Sequence, residues 1–246
     1  MNIIDAHVYL GTGAHLRQTS AELLARMDEA AVIAAIAAPV DRYLAVDNAA
    51  GNRLMLKAVA RCSGRLFGMA CANPWFGRKA LREARQALQA GLSALVIHSV
   101  YQGFRLSDHL VDPLLGLAAE FQVPVYAHTG TAGIAEPFHV AELARRFPDV
   151  AFIMLHAGAS DYYADAVSAM EYGANLWLET SRNGPANFCL FKNAGLTERL
   201  LFGSSAPEYI PAVEIQTLCD VFTTADEREA ILSRNVRRVF RGKLNL

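Results

Sequence analysis

The sequence predicts an α/β fold: a (β/α)8 TIM barrel built as one domain over residues 1–246. Three observations predict it. Short apolar runs recur eight times, with starts about 24 to 34 residues apart, the length of one strand–helix unit. Most of these runs are continuous rather than alternating, as strands covered on both faces of a parallel sheet should be. The segments between them carry helical spacing.

The first run, "NIIDAHV", is followed by Thr19 and Glu22, a capping box that opens the first helix. "AVIAAIAA" is the second run; Pro39 closes it, and Asp47 is placed to cap the next helix. "RLFGMACA" leads to Pro74 in a loop, and Gly91 stops the helix that follows. After "SALVIHS", residues Leu110, Leu114, Leu117, Ala118 and Phe121 fall on one helical face. "PVYAHTG" begins with Pro124, and Val140, Leu143, Ala144 and Phe147 mark the face of its helix. Pro148 precedes "VAFIMLHAG"; Gly173 and Gly195 sit where helices should end before "NLWLETS" and "RLLFGSS". The closing "ADEREAILSRNVRRVFRG" reads as one or two helices packed on the barrel. An open doubly wound sheet is the alternative, and "GTG" at Gly11–Gly13 would serve it. Leu16 occupies the third glycine position of that phosphate-binding fingerprint, so the motif is incomplete.

Composition narrows the function. Hydrophobic residues make up 53% and charged residues 19%, which suits a large core. The net charge of -1 leaves no electrostatic footprint for nucleic acid or an acidic membrane, so a small-molecule substrate is the expected partner. The cysteines at 62, 71, 189 and 219 form no metal or redox pair and read as small buried hydrophobes. The N-terminus has no signal-peptide character and no apolar run reaches membrane-spanning length, so a cytoplasmic location is expected. No linker or low-complexity tract marks a second domain.

In a barrel of this kind the chemistry sits at the C-terminal ends of the strands. Of the seven histidines, His7, His98, His128 and His156 fall at predicted strand ends, whereas His15, His109 and His139 fall in loops or at helix starts. One histidine is usually structural; four converging on one mouth are not easily so. Asp5, His7 and Tyr9 alternate along the first strand, which puts them on one face. Glu179, Thr180 and Ser181 end the seventh strand, and Ser204, Ser205 and Glu208 follow the eighth. Asn73, Trp75, Phe76, Tyr101, Phe104, Tyr162 and Tyr163 could wall a ligand from the loops. Arg105 and Arg182 could bind a carboxylate through parallel hydrogen bonds.

The ordered set "DAHVY", "IHSVYQGFRLSD", "AHTG", "LHAG", "NLWLETS", "LLFGSSAPE" and the closing "NVRRVF" resembles the amidohydrolase superfamily. The branch it resembles is the amidohydrolase-related group that includes aminocarboxymuconate semialdehyde decarboxylase. The resemblance spans nearly the whole chain. It implies a barrel holding one divalent metal, usually zinc, bound by a strand-one D-x-H-x-H, a strand-five histidine and a strand-eight aspartate. Carried across, His7 and His128 match metal ligands, and His156 matches the histidine that acts on substrate or on metal-bound water. His98 matches a histidine found after strand four. Two positions depart from the pattern: Tyr9 stands at the second strand-one histidine, and Ser205 at the strand-eight aspartate. A neutral phenol is a poor zinc ligand, and a serine hydroxyl cannot serve as the base that the aspartate supplies.

Three readings stay open. The first is a metal-dependent hydrolase of a small carboxylate, lactone, ester or amide, with decarboxylation as an alternative reaction. Here His7 and His128 are metal ligands, His156 and Glu179 are catalytic, and His98, Arg105, Tyr9, Trp75 and Ser205 contact substrate. The second is a metal-free acid–base catalyst using His156 and His98. The third is a non-catalytic relative that binds a small ligand. The resemblance is also compatible with a homodimer.

Overall fold

All eight apolar runs form strands. The computed structural model describes residues 2–62 and 64–244, so both ends of the expected domain, residue 1 and residues 245–246, lie outside the described residues. In chain order the strands are β1 (Ile3–Thr12), β2 (Arg17–Gln18), β3 (Val32–Pro39), β4 (Leu66–Cys71), β5 (Ala94–Ile97), β6 (Val125–His128), β7 (Phe152–Leu155), β8 (Leu176–Glu179) and β9 (Leu200–Leu201). They form one sheet in the order β2-β1-β3-β4-β5-β6-β7-β8-β9. Every neighbouring pair is parallel except β1 with β2.

Backbone hydrogen bonds join the two ends of the sheet. Ala6 donates to the Phe202 carbonyl, Ser205 to that of His7 and Tyr9 to that of Ala206, and Val8 bridges Ala206 in parallel. The result is an α/β TIM-barrel fold. Along each strand, alternate residues pack with the barrel interior and with the surrounding helices. Val96, Tyr126, Ile153 and Trp177 belong to the inner cluster, while Leu95, Val125, Phe152 and Leu176 belong to the outer one. Because both faces are apolar, the runs read as continuous in the sequence. The closing helices plug one end: Val236, Val239 and Phe240 join the inner cluster, with the Phe240 ring 6.4 Å from that of Tyr126.

Three details differ from expectation. First, β1 does not alternate strictly. Its register against β3 is irregular between Asp5 and Val8. Ile4 and Ala6 pack inside the barrel before that point; beyond it Tyr9 does, while Val8 and Leu10 face outward. A bulge adds a residue and re-aims the side chains around it. Second, Asp47 precedes the helix Asn48–Arg61 without a side-chain capping bond, because its carboxylate pairs with Arg42 in the short helix Asp41–Ala45. Third, the Gly11–Gly13 segment opens no helix. It carries β1 into a hairpin with β2, and the first helix, Ser20–Glu29, starts later at the expected Thr19–Glu22 capping box.

The four cysteines are free; Cys71 is buried in β4 as expected, but Cys189 is exposed and Cys62 and Cys219 are only partly buried, because they sit on or at the end of outer helices, which turn one face to solvent. Among the described residues no helix is long and apolar enough to cross a membrane.

Candidate active site

Two buried carboxyl groups anchor the floor at the C-terminal end of the strands. Asp5 accepts hydrogen bonds from the His7 amide (3.1 Å), the Ser204 amide (3.0 Å) and the Ser204 hydroxyl (2.6 Å). Glu179 accepts from the His156 amide (3.0 Å), the Ser181 amide (2.7 Å) and the Ser181 hydroxyl (2.8 Å). Each carboxyl thus ties its own strand to a neighbour: β1 to the segment after β9, and β8 to the segment after β7. Burial nonetheless prevails over these bonds. It raises Asp5 to about 6 and Glu179 to about 7. Gly203 is required beside Glu179, since a Cβ there would lie 2.0 Å from its Oε1.

The four histidines expected at strand ends converge, although His7 lies in the middle of β1, which runs on to Thr12. His7 and His156 are fully buried, with ring centroids 5.4 Å apart. His128 lies 5.2 Å from His156 and stacks on His98 at 4.0 Å. Tyr101 stacks on the other face of His98 at 3.9 Å. The rings form a continuous chain from His7 to Tyr101. Each arrives by a different device: His7 at the β1 bulge, His128 as the last residue of β6, His98 just past β5 and His156 just past β7. The turn at His156 is strained, with positive φ at His156 (66°), Ala157 (45°) and Ala159 (53°), a conformation costly for non-glycine residues.

Burial makes these imidazoles neutral. His7 is lowered to about 3 by burial and by the charges of Arg182 and His128; His128 is lowered to about 4 by burial and Arg182. His98 and His156 lie well below the usual histidine range, mainly through burial. The Nδ1 atoms of the two deepest rings are held: His156 Nδ1 is 2.8 Å from the Ser181 hydroxyl, and His7 Nδ1 is 3.2 Å from the Ser205 hydroxyl. Their Nε2 atoms, and His128 Nδ1, are buried with no hydrogen-bond partner.

A cavity of about 200 Å³ opens over this floor, lined by Tyr9, His15, Leu16, Asp41, His98, Val100, Tyr101, His128, Arg182 and Glu208. Arg182 extends from a left-handed backbone position (φ 61°) and meets both carboxylate oxygens of Glu208 at 2.6 Å. Burial pushes the Tyr9 phenol above the ordinary range, so it is a neutral wall; its ring stands edge-on to His7 at 4.6 Å.

The residues present can be tested for a divalent metal. His7, His156 and Glu179 each offer one ligand atom, and these lie within 4.8 Å of one another. Both Nδ1 atoms are 3.7 Å from Glu179 Oε2. Tetrahedral metal–nitrogen and metal–oxygen bonds of about 2.1 Å place neighbouring ligands roughly 3.4 Å apart. Two neutral imidazoles and a carboxyl group are the donor chemistry that zinc and manganese accept, and a cation beside Glu179 would take the two Nδ1 atoms from the Ser181 and Ser205 hydroxyls that hold them. The set fits.

Of the residues singled out in the sequence, His7, His98, His128, His156, Glu179, Tyr9 and Ser205 come together here. Trp75 does not line the cavity: it is 59% exposed, and its indole donates to the Gln102 carbonyl at 2.9 Å. Arg105 is exposed and also lies outside the lining. Two polar lining residues are not singled out in the sequence, Asp41 and His15. Asp41 follows the end of β3 by two residues, so the strand-end rule that found Glu179 could have found it. His15 reads in the sequence as a loop residue, and only the hairpin brings it to the mouth.

A family model described as amidohydrolase matches residues 5–242. No curated protein matches the chain. Among solved structures, an uncharacterized TIM-barrel protein from Bordetella bronchiseptica aligns with a TM-score of 0.79 at 15% identity, covering 99% of each chain. A probable 2-pyrone-4,6-dicarboxylic acid hydrolase from Acinetobacter baumannii, with citric acid bound, aligns with a TM-score of 0.72 at 17% identity, covering 98% of this chain and 100% of the other. The 5-carboxyvanillate decarboxylase from Novosphingobium aromaticivorans, complexed with manganese and 4-hydroxy-3-methoxy-5-nitrobenzoic acid, aligns with a TM-score of 0.76 at 15% identity, covering 98% and 96%.

Proposed function

This chain belongs to the amidohydrolase family, and on that premise we propose that it is a metal-dependent enzyme acting on a small carboxylate-bearing substrate at the mouth of a single-domain, eightfold strand–helix barrel. The carrying observation is the convergence of His7, His156 and Glu179, each offering a ligand atom within 4.8 Å of the others, behind a cavity that holds Arg182. The solved neighbours lend support, being named as a hydrolase and a decarboxylase of small carboxylates, one of them with manganese.

His7, His156 and Glu179 would hold the cation; His156 and Glu179, which the sequence matches to catalytic roles, become ligands, and His128, which it matches to a ligand, stays free to act on the substrate. A cation bound there would polarise a carbonyl or carboxylate oxygen and make water more acidic. The remaining work belongs to the chain. Arg182 orients the substrate carboxylate by exchanging it for Glu208, which now occupies both of its contacts. His128, neutral and lining the cavity, accepts a proton from the reacting group and His98 braces it by stacking. Tyr9 and Tyr101 wall the site against bulk water. Hydrolysis of an ester, lactone or amide bond is the reaction assigned, with decarboxylation the alternative on the same residues.

Metal analysis of protein purified without a chelating column tests this reading. About one equivalent of zinc or manganese is expected, lost in His156→Ala. Absence of bound metal together with no thermal stabilisation by either ion would sink it. One observation favours a second reading, a metal-free or purely ligand-binding member. The Ser205 hydroxyl and the Tyr9 ring already occupy two sides of His7. That reading requires turnover or carboxylate binding to survive exhaustive chelation unchanged.

A further inference from the structure

The hairpin between β1 and β2 is fastened over the mouth more firmly than a surface loop needs to be. Asp41 accepts hydrogen bonds from the amides of Ala14 (3.1 and 3.0 Å to its two oxygens), His15 (3.2 Å) and Arg42 (2.6 Å). Gly13 makes this approach possible, since a Cβ there would lie 1.8 Å from Asp41 Oδ1. The turn is closed by the Gly13 amide donating to the Leu16 carbonyl at 2.8 Å. At the foot of the hairpin, buried Gln18 donates to the carbonyls of Tyr9 (2.8 Å) and Ala206 (3.3 Å). The "GTG" stretch is therefore not a phosphate loop; its second glycine lets a carboxylate grip the hairpin tip.

What this grip presents is His15. The side chain lines the same cavity as Arg182, Glu208 and His128. The two carboxylates of that cavity are both engaged, Asp41 by backbone amides and Glu208 by Arg182. His15 has no hydrogen bond from its ring to any described residue, so its ring nitrogens are free to meet a ligand.

We propose that His15 is a ligand-contacting, specificity-determining residue. It binds a second carboxylate of the substrate, apart from the one Arg182 holds, and Asp41 is the positioning residue that holds it there. A substrate carrying two anionic groups is the class this pairing selects. The proposal rests on the reading of the cavity as a carboxylate site.

Calorimetric titration with isophthalate, a small dicarboxylate, tests both separately on the metal-loaded protein, with benzoate as the single-carboxylate control. His15→Ala should weaken isophthalate roughly tenfold, the effect of one lost hydrogen bond to a charged group, and leave benzoate within about twofold. His15→Gln, which keeps an N–H donor, should recover most of the loss. Asp41→Ala should match His15→Ala, and the double variant should bind no more weakly than either alone, because one residue acts through the other. Arg182→Gln should weaken both ligands.

If Arg182→Gln weakens isophthalate while His15→Ala does not, the inference fails and the carboxylate reading stands. Full additivity in the double variant overturns the positioning role of Asp41. If the parent binds neither ligand, both fall together.

Discussion

Glu179 and Asp41 are two solutions to one problem, a carboxyl group seated over a glycine. Glu179 sits on the barrel floor with its oxygens bonded by His156 and Ser181 and with Gly203 beneath it. Asp41 sits on the rim, bonded by Ala14, His15 and Arg42, with Gly13 beneath it. The local geometry is similar, but the surroundings are not. The groups around Glu179 are strand ends locked by the parallel ladder, and the side chain is fully buried. The groups around Asp41 belong to a hairpin tip whose residues Ala14 and His15 are exposed. The lesson is that a carboxylate clamp holds what its hosts cannot otherwise do. On the floor it orders imidazoles within a rigid wall; on the rim it makes a loop rigid.

The largest effect that would separate the two is steric. Gly203→Ala drives a methyl group into a carboxyl that has nowhere to go, so a loss of about 3 kcal/mol or more in unfolding free energy is expected by denaturant titration. A loss below about 1 kcal/mol would show the floor to be as yielding as the rim.

Next comes pH, read on chelated protein. Glu179 is raised from 4.5 to about 7. The folded state therefore resists its ionisation between those values, and the group subtracts stability as pH climbs from 4.5 to 7. The imidazoles act in the opposite sense. His7, lowered from 6.5 to about 3, and His128, lowered from 6.5 to about 4, contribute stability that is complete above 6.5 and is lost as pH falls toward those values. Glu179→Gln removes only the first term. The variant's stability relative to the parent should thus improve by on the order of 2–3 kcal/mol between pH 4.5 and 7.5. A difference independent of pH would mean that Glu179 is not desolvated in this way.

The smallest effect is the rim counterpart. Gly13→Ala should cost only about 1 kcal/mol, because the hairpin tip and Asp41 can move toward solvent. Amide hydrogen exchange should accelerate at Ala14 and His15 while the protection of the strands is unchanged. A cost equal to that of Gly203→Ala would erase the distinction.

Much of the floor was legible before any coordinates. Apolar runs of strand length marked every parallel strand, and polar residues at their ends marked His7, His98, His128, His156 and Glu179. The strand-end rule works because a strand buried on both faces has only one place, its terminus, where a polar side chain can meet solvent or ligand. The rim was less legible. Arg105 and Trp75 looked equivalent to Arg182 and Tyr101 in their loops, yet only the latter two line the cavity. Loop residues are aimed by contacts far away in sequence, and no local pattern encodes those contacts.

By itself, then, the order of residues determined the parallel barrel and the four histidines gathered at one end of it, since hydrophobic periodicity and strand termini are local properties of the chain. Only the tertiary structure decided how those histidines are arranged. It placed His7 at a bulge beside His156 and Glu179, stacked His128 on His98, gave Arg182 to Glu208 and folded His15 over the mouth. Each of these depends on which distant segments share a few ångströms of buried space, where desolvation and steric fit rather than sequence spacing set the outcome.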